Sequence, residues 1–78
     1  GDIRQAVAHE VGHAIDYVLN LSGIEIINKL YNDNMYSVST YASCNIGEFI
    51  AECYAEYATA DKPREVAIEV VKAMLAHR

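Results

Sequence analysis

What this chain has little of narrows its identity before any motif is considered. Its two cysteines, Cys44 and Cys53, are too few and too irregularly placed for a disulfide framework. Lysine and arginine number only six against eleven aspartates and glutamates, giving a net charge of −5. That balance leaves no basic footprint for nucleic acid or for an anionic membrane surface. No apolar run approaches the length of a membrane span, and no secretory leader is visible. The chain opens at Gly1, only eight residues before its first histidine, as an excised piece of a longer protein would. The missing leader therefore carries no information. Internal repeats, linkers and low-complexity segments are also absent from the sequence.

What is present reads as one small globular domain spanning residues 1–78. Hydrophobic residues make up 53% and charged residues 22%, a globular balance. At this length a self-sufficient core is near its lower limit, so a metal, or a partner copy in an oligomer, would help hold the fold.

The stretch that organises the chain is His9-Glu10-Val11-Gly12-His13. On a helix, positions four apart share a face, so His9 and His13 can aim two imidazoles at one metal ion. This is the H-E-x-x-H pattern, two zinc-binding histidines with a glutamate as general base toward water. Asp2 with Gln5 resembles a capping box, which predicts a helix starting near residue 3. Its apolar residues Val7, Val11, Ala14, Ile15 and Val18 fall on one stripe, and at about 100° per residue the histidines lie almost opposite. The expectation is a helix that packs through the stripe and offers its histidines on the other side. Gly12, inside this helix, costs up to about 1 kcal/mol relative to alanine, which suggests close approach of another backbone or a ligand.

Ser22 and Glu25 form a further S-x-x-E start signal, predicting a short helix through about Leu30. Asn32-Asp33-Asn34 reads as a turn, and residues 35–43 as an extended or irregular loop. Asn45 opens the next helix, with Asn45-x-x-Glu48 itself fitting a capping box. Glu48, Glu52 and Glu56 follow at four-residue steps along one face, where like charges repel by a few tenths of a kcal/mol per pair. A divalent metal would compensate them; the alternative is a solvated face, and Glu56 is expected to be solvated. Lys62-Pro63 marks a last helix start. Val66, Ala67, Val70, Val71, Met74 and Leu75 then make an amphipathic stripe, with Lys72, His77 and Arg78 suiting the helix dipole near its end. Cys53 reads as a small packing residue; Cys44, in an expected loop, has the chemistry to bind metal or react, although a bystander thiol is the simpler reading.

A catalytic zinc usually takes three protein ligands and keeps a fourth position for water. His9 and His13 supply two, and Glu48 is the best candidate for the third. Glu52, one turn further, can accept a hydrogen bond from the far nitrogen of a ligating histidine and fix its orientation.

The run HEVGHAID at 9–16, followed by Tyr41, Asn45, Glu48 and Glu52, resembles the gluzincin metallopeptidases. Within them it is most similar to the catalytic domains of the anthrax-lethal-factor and Pro-Pro-endopeptidase type. It is similar also to the minigluzincins and to zincin-like domains of phage head-morphogenesis proteins. The likeness covers roughly residues 5–60. It implies a mostly α, zincin-like helical domain that binds one zinc ion through His9, His13 and Glu48 and hydrolyses peptide bonds in a peptide or protein substrate. It implies Glu52 as the residue that orients a histidine, and Tyr41, seven residues before Glu48, as a catalytic group. The Tyr41 phenol would donate a hydrogen bond to the developing oxyanion. Glu10 would accept a proton from water and pass it to the leaving amine. One departure stands out: the family carries a β-sheet before the active-site helix whose edge strand aligns the substrate, and nothing of that kind precedes His9. The rival expectation is a non-catalytic, zinc-stapled structural or interaction module of a larger protein. For that role a fourth ligand, Cys44 or Glu52, would close the site. A metal-free helical bundle is the third.

Overall fold

The computed structural model describes residues 3–38 and 45–77. They form α1 (Ile3–Leu19), a short 3-10 turn (Leu21–Gly23), α2 (Glu25–Val38), α3 (Ile46–Thr59) and α4 (Glu65–His77). The domain is all-helical, with no strand among the described residues. The Asp2 cap and residues 39–43 of the loop predicted over 35–43 lie outside them, whereas residues 35–38 of that loop are helical, as the end of α2.

Helix α3 is the hub, because it packs on α1, α2 and α4. Its Phe49, Ile50 and Cys53 are fully buried beside Leu21 and Ile27. Ala67, Val70, Val71 and Met74 of α4 close the other side of this core. Tyr31 of α2 meets Phe49 edge to face, with ring centroids 5.4 Å apart, the geometry aromatic quadrupoles favour. The α4 stripe is the predicted one except for Leu75, which is exposed. Helix α4 begins two residues after Pro63 rather than at Lys62-Pro63.

Helix α1 corrects the expectation for its orientation. The valine stripe faces solvent: Val7 is 56% exposed, Val11 39% and Val18 76%. The packed side carries Ala8 and Gly12, which are buried against α3. A Cβ placed on Gly12 would lie 2.9 Å from Ala51 Cα and 3.2 Å from its carbonyl oxygen. Two helix backbones therefore touch at this point, across Ala8 and Gly12 on one side and Ala51 and Ala55 on the other. Small residues permit that approach, and it favours the histidine side of α1 over the bulkier valines. The close approach suggested by Gly12 is present.

Asn20 ends α1 in the left-handed region (φ 53°, ψ 49°), a conformation asparagine tolerates. Ser22 does not cap α2 as predicted. Its N–H and hydroxyl donate to the Asp16 carboxylate at 3.0 Å, tying the 3-10 turn back to α1. Helix α2 also continues through the predicted Asn-Asp-Asn turn to Val38. Asn34 Nδ2 donates to the Leu30 carbonyl and Lys29 pairs with Asp33 at 3.0 Å, so these polar side chains support helical turns instead of ending them.

Candidate metal centre

Position four-apart spacing and small-residue packing combine at the α1–α3 crossing. The same contact that buries Gly12 swings His9 and His13 toward the first turns of α3. Asn45 caps that helix, its side-chain oxygen accepting from Glu48 N–H at 2.8 Å. The predicted cap is present, and it holds Glu48 at the positive end of the helix, which favours a carboxylate there.

Glu48 turns its carboxylate to both imidazoles. Glu48 Oε2 lies 3.1 Å from His9 Nε2, and Oε1 lies 3.0 Å from His13 Nε2. The two rings sit 4.9 Å apart between centroids, and all three side chains are partly buried. One donor atom from each residue falls within 4.8 Å of the others.

That donor set fits a zinc ion in kind: two imidazole nitrogens and one carboxylate oxygen. It also nearly fits in size. With zinc–ligand bonds near 2.0–2.1 Å, tetrahedral neighbours stand roughly 3.4 Å apart. The two histidine–carboxylate separations, 3.0 and 3.1 Å to different Glu48 oxygens, are hydrogen-bond contacts a few tenths of an ångström under that spacing, and the three donor atoms as a set lie within 4.8 Å. Among the described residues only these three converge, leaving room for water as a further ligand.

The remaining predicted residues are placed differently. Glu52 Oε1 approaches His9 Nε2 at 4.0 Å, the nitrogen that also faces Glu48, and not the far Nδ1. Its charge adds to the acidic environment of that nitrogen. Glu10 is exposed and borders a shallow concavity with Ile3, Ala6 and Val7. Tyr41 and Cys44 lie outside the described residues. Cys53 is buried in the core, and burial is the main cause pushing its thiol up to about 12. It is an inert packing residue.

Glu56 departs from the expected solvated role. Its carboxylate accepts from the Arg64 side chain, at 2.6 Å from Nη2 and 3.1 Å from Nε, and from the Arg64 backbone N–H. These contacts, the side-chain ones first, hold Glu56 below the usual carboxylate range and raise Arg64. The pair fastens the end of α3 to the start of α4. Of the three acids of α3, Glu48 thus faces His9 and His13, Glu52 approaches His9 only at 4.0 Å, and Glu56 is held by Arg64.

Asp16 was not singled out from sequence, although it stands three residues after His13. Its carboxylate is engaged by Ser22, which makes it a structural acid. Comparison with protein-family models, with curated proteins and with solved structures yields no match. The site must be read from its own chemistry.

Proposed function

We propose that this domain is a zinc-dependent peptidase of the gluzincin kind, holding one zinc ion through His9, His13 and Glu48. The observation that carries the reading is the convergence of their three donor atoms within 4.8 Å; Glu10 follows His9 directly in α1. When bound, zinc supplies Lewis-acid polarisation and brings the pKa of water toward neutrality. Glu10 accepts the proton of the attacking water and returns it to the departing amine. Glu52 adds negative charge beside the same His9 nitrogen that faces Glu48. Tyr41 is proposed as the oxyanion donor on the resemblance alone.

A second reading has its own support. Helix α1 meets α3 through the small residues Ala8 and Gly12, and only Ile15 and Leu19 of its larger side chains border the central core. A metal bridging α1 and α3 would serve as a staple without catalysis. Glu10→Gln separates the two, since it keeps shape and removes the proton acceptor. With a quenched-fluorescent peptide library, peptidase activity should fall by roughly 10²–10⁴-fold while zinc content stays at one per chain. Stoichiometric zinc with no cleavage of any library member by the wild-type chain leaves the staple reading in place of the enzyme.

A further inference from the structure

The solvent side of α1 carries a second pattern, independent of the metal centre. Arg4, Val7, Val11, Ala14 and Val18 follow at steps of three, four, three and four residues. That is the a/d spacing of a helix made to pack along another helix. The seam runs beside the α1–α3 crossing, where Val7 and Val11 share a concavity with Tyr54, Ala58 and Thr59 of α3, and its valines, with Ile3 and Tyr17 at the flanks, are exposed. Shallow apolar concavities run beside it, one formed by Val11, Ala14, Ile15, Val18 and Leu19. A monomer of this size seldom exposes so continuous a row of large apolar side chains without an occupant.

We propose that the occupant is a second copy of this chain, packed α1 against α1 in antiparallel orientation. Three observations support that choice. First, the seam is complementary to itself: a two-fold axis between residues 12 and 13 sets Val7 over the partner's Val18 and Val11 over the partner's Ala14, large against small in the two central layers. Second, the charges agree with antiparallel pairing. A parallel pair would bring Arg4 against the partner's Arg4, whereas the antiparallel pair moves the two arginines to opposite ends. Third, the area is that of a small interface. Covering Val7, Val11, Tyr17 (88% exposed) and Val18 removes on the order of 400 Å² per copy, about 800 Å² in all, the size of a weak association. The histidines lie on the other side of α1, so association leaves the His9, His13 and Glu48 side chains uncovered, with Glu10 at the edge of the seam.

Sedimentation equilibrium of the chain, from roughly 5 to 500 µM, tests this by mass action. The expected mass rises from 8.6 kDa toward twice that value across the range. Val11→Lys and Val18→Lys should hold the chain at 8.6 kDa throughout. Both sites are already wet in the single copy, so helical circular dichroism and zinc stoichiometry should be retained. In a Cys44→Ser background, Val11→Cys with Ala14→Cys should form a disulfide-linked dimer on mild oxidation, and Val11→Cys alone should form far less. A wild-type chain that stays monomeric at the highest concentration overturns the proposal and assigns the face to a different partner. A dimer that survives both lysine substitutions also overturns it. Equally ready crosslinking by Val11→Cys alone would overturn the antiparallel orientation.

Discussion

Replacing Gly12 by alanine separates the packing described for α1 from the packing its valine stripe suggests, because the two give opposite signs. In an unpacked helix face, Gly→Ala stabilises by about 1 kcal/mol through helix propensity. Here the added methyl would stand 2.9 Å from Ala51 Cα and 3.2 Å from both Ala51 O and Tyr54 Cβ. Two of those neighbours are backbone atoms, which cannot rotate away, so α1 and α3 must move apart. Overpacking of this kind costs about 1–3 kcal/mol, and with rigid neighbours the upper half of that range applies. After the propensity gain, the net loss is about 1–2 kcal/mol. In a domain of this length that corresponds to a melting temperature lower by about 5–15 °C. The separation also pulls His9 and His13 from Glu48, so zinc affinity should weaken by about tenfold or more. Thermal denaturation followed at 222 nm, with zinc titration in parallel, reads both effects. A Gly12→Ala protein that melts at or above the wild-type temperature refutes the close crossing of α1 and α3.

Three further outcomes follow from particular contacts. Glu56→Gln should cost about 1 kcal/mol at neutral pH, since it weakens a bidentate, charge-assisted pair at a partly exposed site. The folded-state pKa of Glu56 lies below its ordinary 4.5, so the pair's stabilisation is complete above that pH and is lost as pH falls through the folded value. Denaturant melts of the two proteins should therefore converge in acid, and a gap that persists there contradicts the assignment. Asn45→Ala should destabilise by about 1 kcal/mol through loss of the cap to Glu48 N–H, read by urea unfolding. Cys53, with its thiol buried and pushed up to about 12, should resist alkylation at pH 8 until the chain unfolds, as residue-resolved mass spectrometry would show.

The parts of the site that depend on local spacing were legible in the sequence. His9 and His13 share a face because four residues make about one turn, and Asn45-x-x-Glu48 fixes its own cap. The side from which α1 packs was not legible by the same rule. Periodicity gives weight to bulky side chains, and here the buried contact is made by Ala8, Gly12, Ala51 and Ala55, residues with little or no side chain to signal it. Gly12 was the one local clue, as a residue whose helical cost needed a reason. Contacts between distant polar groups were equally hidden. Glu56 and Arg64 stand eight residues apart across a loop, and Asp16 meets Ser22 across a left-handed asparagine. Neither pairing follows from a face or a period. Helix α2 outran its predicted end because Lys29–Asp33 and Asn34–Leu30 contacts satisfy, within the helix, the side chains that elsewhere make turns.

The most direct test of the metal centre is calorimetric titration of the metal-free chain with zinc chloride. One site per chain is expected, lost in His9→Ala, in His13→Ala and in Glu48→Ala, and weakened only about 10–100-fold in Glu52→Ala. Absence of binding by the wild-type chain, or binding that survives Glu48→Ala and is lost in Glu52→Ala, contradicts the assignment of His9, His13 and Glu48 as the ligands.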